Sequence, residues 1–369
     1  MGWLLLFAGL YIGGIVAAVA SAIKMTKFGI VKRLTKDRNK LARVICLFLM
    51  GIIFIALYFS IGSINTVIAF LHLIIFWMVA DLVNRFVQKK RAVDAKRYYA
   101  GAVAILFTIF YLGVGAYWDF NVWETNYNIN TDKTVGTLRV AMIADSHVGT
   151  TFGGDGFAAH LEQIQKATPD ILIVAGDFVD DDTTKEDMIR SCEALGKFKA
   201  KYGVYLSFGN HDKGYYNSRG YTGDDVIAEL EKNGVHVLHD EVELIDNRFY
   251  IIGRKDRSEI QRGGKRKTMK ELLSDLDKSK YMIVIDHQPN DYDAQADAGV
   301  DLVLSGHTHG GQMFPANFLE AISKADDRVY GHEKRKDTDF IVTSGISDWA
   351  IIFKTCTFSE YVITDINGK

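Results

Sequence analysis

The sequence predicts two regions of different class, a four-helix transmembrane region followed by a layered α/β domain. Three observations carry this reading. Four apolar stretches, residues 3–23, 44–61, 64–83 and 100–118, fill the first third of the chain. Each is near the roughly 20 residues that cross a bilayer as a helix. The charge divides at the same place: residues 1–118 hold 14 basic and three acidic side chains, and the remainder holds 29 and 42. From Thr137 onward, short apolar runs alternate with amphipathic stretches, the pattern of buried sheets layered with helices. The boundaries that follow are 1–118 for the membrane region, 119–136 for a tether and 137–369 for the α/β domain.

A buried helix of a soluble protein explains one apolar run, but not four in a row separated by basic loops. Residues 24–43 and 85–97 hold nearly all the positive charge of this region, whereas the Gly62-Ser63 turn holds none. The positive-inside rule makes both basic loops cytoplasmic and puts everything after Trp118 outside, with Trp118 and Trp123 at the outer interface. The first run has small-residue sites at Ala18-Val19-Ala20 and Ala20-Ser21-Ala22, but no Lys or Arg precedes it. A signal peptide carries a basic segment there, so an uncleaved span is expected. His72 and Asp81 are ionisable groups within the third span, where function is one reading and packing or snorkelling the other. Gly9 and Gly13 form a Gly-xxx-Gly pair able to seat a neighbouring helix.

Residues 119–135 are polar, Asn-rich and without helical periodicity, hence the tether. Beyond them, 138–144, 171–175, 204–208, 250–252, 282–285, 302–304 and 340–342 read as strands. Residues 161–167, 185–199, 224–233 and 268–278 read as helices, and Gly234 as a helix stop. The net acidity of this region argues against a nucleic-acid backbone as partner. Cys46, Cys192 and Cys356 are too few for a thiolate metal site or a disulfide framework. A Cys192–Cys356 bridge stays open.

Polar residues fall where those strands end. Asp145 and His147 follow the first strand, Asp177 the second, and Asn210, His211 and Asp212 the third; His287 follows a later one, and His307 and His309 another. Ligands gather outside the carboxyl ends of strands in α/β sheets. Asp145, His147, Asp177, Asn210, His287, His307 and His309 make seven oxygen and nitrogen ligand groups. They suit Mn, Fe or Zn rather than a soft-thiolate site. Seven ligands over-supply one ion and serve two divalent ions that share a carboxylate. Two such ions clamp the attacking and leaving oxygens of an in-line displacement and generate hydroxide near neutral pH, the apparatus for cleaving a phosphate ester. Taken singly, Asp145 could cap a helix and His287 could be a loop histidine. Together such separate roles require several coincidences in order.

The ordered series Asp145-Ser146-His147, Gly176-Asp177-Phe178-Val179-Asp180, Gly209-Asn210-His211-Asp212, His287 and Gly306-His307-Thr308-His309-Gly310-Gly311-Gln312 resembles the calcineurin-like metallophosphoesterase family. It does so in five blocks across residues 140–312. The last block is most similar to a bacterial membrane- or wall-associated branch. The resemblance implies a four-layer α-β-β-α sandwich. It implies that Asp145, His147 and His309 hold one metal, that Asn210, His287 and His307 hold the other, and that Asp177 bridges them with the attacking hydroxide. It also implies that His211 contacts the phosphoryl group and can protonate the leaving oxygen, and that Asp180 orients His211. The pattern thins after Gln312: residues 346–360 contain Trp349 and Lys354 but lack the proline and arginine usual in the family.

Several groups fall outside the pattern. His160, His236, His239 and His332 read as surface or packing residues, and Asp181 and Asp182 as a solvated loop. Residues 313–319, with Met313, Phe314, Phe318 and Leu319, read as core or lid, or as a lipid-facing pocket. The basic run 258–270, with Arg262, Lys265, Arg266 and Lys267, reads as a solvated loop, or as a patch for anionic lipid or wall polymer. Two functions stand. One is a membrane-anchored, extracytoplasmic phosphoesterase acting on a phosphodiester or a lipid- or envelope-linked phosphate ester. The other is a non-catalytic, metal-stabilised binding or scaffold module on a membrane base.

Overall fold

The computed structural model describes residues 2–91, 98–216, 218–314, 317–318, 322 and 325–369. Two compact units divide between Gly115 and Ala116. The first holds α1 (Gly2–Met25), α2 (Gly29–Leu34), α3 (Asn39–Ile61), α4 (Ser63–Arg91) and most of α5 (Ala100–Phe120). Four of these helices are long and apolar enough to span a membrane. Part of the second basic loop, residues 92–97, lies outside the described residues.

Small residues on α1 let helices approach closely, but not at the expected pair. A Cβ at Gly14 would lie 2.8 Å from Val67, whereas Gly9 faces open space and Gly13 makes only ordinary contact with Leu71. Asp81 does not snorkel alone. Its carboxylate pairs with Lys24 and accepts the Tyr98 hydroxyl, which in turn accepts from the Trp77 indole at 2.7 Å. His72 bonds the Ile68 carbonyl one turn back, at 2.9 Å, and stacks on Tyr111. That is a packing role.

The second unit contains β1 (Val122–Asn130), β2 (Thr137–Ile143), α6 (Gly154–Gln165), β3 (Ile171–Val174), α7 (Lys185–Lys197), β4 (Val204–Leu206), α8 (Gly223–Lys232), β5 (His236–Val237) and β6 (Glu241–Ile245). It continues with β7 (Phe249–Gly253), α9 (Ser258–Gln261), α10 (Met269–Leu272), β8 (Tyr281–Ile285), α11 (Tyr292–Ala298) and β9 (Leu302–Ser305). After a 3-10 turn at His309–Gly311 it ends with β10 (Gly331–Arg335), β11 (Thr338–Val342) and β12 (Ser359–Asn367). One six-stranded sheet runs β1-β12-β2-β3-β4-β5 and the other β10-β11-β9-β8-β7-β6.

Alternation of side chains along each strand divides the apolar residues among three cores. Val140, Met142, Ile173, Ile251, Ile283 and Leu304 pack between the sheets. Ala141, Ile143 and Val174 face Leu161, Leu195 and Leu230 of α6, α7 and α8. Ile252, Val284 and Phe340 face Met269, Leu272 and Tyr292 of α10 and α11. The result is the expected α-β-β-α sandwich.

The tether expected at 119–136 is instead largely β1, paired in parallel with β12 from Val122↔Ser359 to Asn130↔Asn367. Thr125, Tyr127 and Ile129 turn inward while Asn126, Asn128 and Asn130 face out. Asparagine is poor in strands, and its abundance hid a period-two pattern. The helix expected at 268–278 shrinks to α10. Its start is a capping box between Thr268 and Glu271, and it ends after one turn at Leu273. Cys192 and Cys356 are unbridged; the buried Cys192 thiol packs against the Met188 sulfur, 3.9 Å away.

Ile129 is buried in the inter-sheet core, so Ile129→Ala is expected to cost about 2–5 kcal/mol in urea unfolding followed by tryptophan fluorescence. An unchanged midpoint would mean that the segment behaves as a tether.

Candidate metal centre

The seven residues expected as ligands follow the carboxyl ends of β2, β3, β4, β8 and β9. Within each sheet the strands of this set run parallel, so their ends lie on one side. Backbone bonds then join the loops: Asp145 N donates to Gly176 O at 3.0 Å, His147 N to Asp177 O at 3.1 Å, and Gly306 N to His287 O at 2.9 Å. Five of the seven expected ligands, Asp145, His147, Asp177, His307 and His309, have left-handed backbone. Non-glycine residues adopt it at about 1–3 kcal/mol each, and such residues gather at functional sites. Glycine is needed where the loops touch. A Cβ at Gly209 would sit 2.2 Å from Asp177 Oδ1, and one at Gly306 2.4 Å from Asp145 Oδ2.

Two groups of ligand atoms converge among the described residues: Asp145, His147 and His309, and Asp177, His287 and His307. In the first, His309 Nε2 lies 3.8 Å from Asp145 Oδ1. In the second, His287 Nε2 lies 3.0 Å from Asp177 Oδ2. That same oxygen is 3.7 Å from His147 Nε2, so Asp177 stands between the groups. Asp145 accepts the His307 N–H on both oxygens, at 3.0 Å each, which braces one group on the other.

The ring atoms are pre-oriented. His287 Nδ1 bonds the Ala175 carbonyl at 2.8 Å, and His147 Nδ1 bonds Asp180 Oδ2 at 3.1 Å. Asn210 donates its amide to the Tyr215 hydroxyl at 3.0 Å. What remains is His147 Nε2, His287 Nε2 and Asn210 Oδ1, all buried and without a hydrogen-bond partner. Buried polar atoms are rarely left so. An orphaned set of nitrogens and an oxygen beside two carboxylates fits divalent cations.

The electrostatics agree. Burial disfavours a charged His147, but the Asp180 hydrogen bond and the charges of Asp177, Asp180 and Asp145 outweigh it and raise its pKa to about 9. His287 is raised well above its ordinary value against burial, chiefly by Asp177. Carboxylates that hold a proton on two imidazoles are a site seeking positive charge, and metal binding displaces such protons.

His211 is placed beside the ligands. Its N–H donates to Asp177 Oδ1 at 2.8 Å, and its ring lies 5.0 Å from Tyr215 and 5.3 Å from Trp349. Burial lowers its pKa to about 4. The partnership expected between Asp180 and His211 is not the one present. Asp180 Oδ2 serves His147, and Oδ1 accepts Asp182 N and the Thr183 hydroxyl. A metal-ligating histidine donates its second nitrogen to a carboxylate in this manner.

Other residues proved structural for the site. Asp212 accepts four backbone N–H groups, those of Asp177, Phe178, Val179 and Gly209, at 2.7–3.0 Å. Asp181, expected in solvent, accepts Tyr215 N and Tyr216 N. Arg262 of the basic run donates to Asn210 O at 3.0 Å and Gly214 O at 2.9 Å, with its guanidinium over Tyr215. Arg266 pairs with buried Asp286. Part of the run is thus anchored, not solvated. Met313 is core, while Phe314 and Phe318 are exposed; Leu319 lies outside the described residues. His236 stacks on Tyr205, His160 and His239 pack at an angle against Phe152 and Phe208, and His332 pairs with Asp339.

The family model for calcineurin-like phosphoesterase matches residues 138–311. An uncharacterized metallophosphoesterase of Aquifex aeolicus is 31% identical over 249 residues, covering 66% of this chain and 91% of that protein. The chain belongs to the calcineurin-like metallophosphoesterases. Another uncharacterized metallophosphoesterase, from Campylobacter jejuni, is 29% identical over 234 residues, 63% of this chain and 60% of that one. A transmembrane protein with metallophosphoesterase domain from Danio rerio is 26% identical over 194 residues, 51% of this chain and 44% of that protein. This metallophosphoesterase therefore spans less than two thirds of the Campylobacter and Danio relatives.

The two partners of Asp180 separate experimentally. Asp180→Asn is expected to weaken metal binding about 10–100-fold, read as metal retained after dialysis. Full retention with a lowered turnover rate would return Asp180 to His211.

Proposed function

We propose that this chain is a membrane-anchored phosphoric ester hydrolase working with two divalent cations, Mn, Fe or Zn. The observation that carries this is Asp177 Oδ2, which lies between His147 Nε2 and His287 Nε2 and so can serve both cations. Asp145, His147 and His309 would hold one, Asn210, His287 and His307 the other. Bound there, the cations supply Lewis-acid polarisation of the ester and a nucleophilic hydroxide near neutral pH. The chain does the rest. Asp212 and the glycine contacts fix the loops, and Tyr215 turns the Asn210 oxygen toward the centre. His211 is neutral at pH 7 when the site is empty of substrate and offers an N–H to a phosphoryl oxygen. The negative charge of the ester raises its pKa, which favours proton delivery to the leaving oxygen.

The positive charge of residues 24–43 supports a domain outside the cytoplasm. The membrane spans of the same chain, and exposed Phe314, Phe318 and Ile322 following the last ligand block, support a lipid- or envelope-linked phosphate ester as substrate. A second reading, a non-catalytic metal-stabilised module, is favoured by one observation: Asp180 is engaged by His147, so His211 stands without the carboxylate expected to orient it.

Turnover of bis-(p-nitrophenyl) phosphate in Mn²⁺, Zn²⁺, Fe²⁺ or Co²⁺ tests the enzyme reading. Asp177→Asn is expected to abolish it and weaken metal binding. His211→Ala should keep the metals and lose about 10²–10⁴-fold in rate; a metal-loaded wild type with no turnover supports the module instead. A reporter fused after Lys369 should be active only outside the cytoplasm, and a cytoplasmic signal overturns the orientation.

A further inference from the structure

The loop after β11 holds a buried ionic group that the ligand blocks do not include. Asp348 and Lys354 are fully buried, and Asp119, in the last turn of α5, is 1% exposed. Asp348 Oδ1 lies 2.9 Å from His309 Nδ1, while Nε2 of that ring faces Asp145. Lys354 Nζ lies 3.5 Å from the same Asp348 oxygen. It also donates to Ser344 O at 2.7 Å, Ser347 O at 3.0 Å and Ser359 Oγ at 3.1 Å. The ammonium is therefore fully engaged and cannot reach substrate. Asp119 and Gln312 are the neutral or acidic side chains that share hydrogen bonds with Asp348. With both carboxylates ionised there is no donor between them, although Asp119 also shares a hydrogen bond with the Ser359 side chain. A proton on Asp119 supplies the missing donor.

Burying two carboxylates and a lysine costs several kcal/mol per ion before pairing, and well-packed apolar residues are often as stable. Such a group is explained by what it holds. A ligand histidine whose second nitrogen meets a carboxylate has its tautomer and ring angle fixed and its basicity raised. His147 has Asp180 for this, and His287 has the Ala175 carbonyl. Asp348 approaches His309 Nδ1 as closely, at 2.9 Å, but as an ion-pair contact outside hydrogen-bond geometry.

We propose that Asp348 is the positioning residue for His309, and that Lys354 and Asp119 hold it in place. The outer support of one cation position then begins in the final turn of a membrane-spanning helix, at a residue outside every ligand block. This rests on the two-cation reading above, but addresses only the Asp145, His147 and His309 position. The group at Asp177, His287 and His307 should be untouched.

The test uses the full chain in detergent micelles, loaded with Co²⁺. Two readouts are bound metal per chain and the visible spectrum of the cobalt, which reports ligand geometry independently of turnover. In Asp348→Asn, of nearly equal volume, one of two cobalt ions is expected to bind about 10–100-fold more weakly, with a changed spectrum. Asp119→Ala should shift metal binding and spectrum the same way. Asp119→Asn, whose amide can donate to Asp348, should restore both. Melting of the metal-free proteins separates this from misfolding, because a positioning role leaves Asp348→Asn folded. Two tightly bound ions and a wild-type spectrum in Asp348→Asn overturn the proposal. An Asp119→Ala protein identical to wild type removes Asp119 from it. Wild-type protein that binds no metal overturns the two-cation reading itself, an outcome distinct from the other two.

Discussion

Two loops that carry half the site are held by one carboxylate. Asp212 Oδ2 accepts Asp177 N and Gly209 N, and Oδ1 accepts Phe178 N and Val179 N. The loop after β3 and the loop after β4 are thereby stitched at four points. Asp177 cannot leave the neighbourhood of Asn210 and His211, and His211 N closes the circuit on Asp177 Oδ1. Charge-assisted hydrogen bonds are about twice as strong as neutral ones, and here they satisfy donors that a buried loop would otherwise strand. Without this clamp the left-handed backbone at Asp177 would lose the bond to its own N–H. The tight glycine contacts, at which the loops nearly touch, would lose their purpose.

Much of this was legible in the sequence. Runs such as Ile171–Val174 and Tyr281–Ile285 are apolar throughout because both faces of their sheets are covered, and the ligands stand at their ends. What escaped did so for physical reasons. β1 and β12 carry Asn, Thr, Glu and Asp among their apolar residues, because β1 is an edge strand and because Glu360 and Thr364 are buried polar groups in β12. Propensity weighs against such strands, while pairing with a neighbour decides for them. Helix α10 had the pattern of a longer helix but ends at Leu272, with Leu273 as its cap.

The partners within the site were less legible than its members. Asp180 has two histidines within reach in the sequence pattern, and spacing does not choose between them; the turn at Asp180–Thr183 aims the carboxylate at His147. Burial of a lysine is equally invisible. Lys354 sits in a stretch without helical or strand periodicity, and only folding reveals that four backbone or hydroxyl oxygens surround its ammonium. In the membrane unit, the partner of Asp81 was hidden because Lys24 is 57 residues away.

The parallel pairing of β1 with β12 has a consequence for biosynthesis. β1 follows the last membrane helix directly, yet its neighbour in the sheet is Ser359–Asn367, and β12 alone connects it to β2. As the chain emerges from the ribosome, β1 is made more than 200 residues before the strand it requires. Until then its row of backbone donors and acceptors stays open, and β2 lacks a neighbour on the same side. The sheet therefore closes on this side only after β12 has been made.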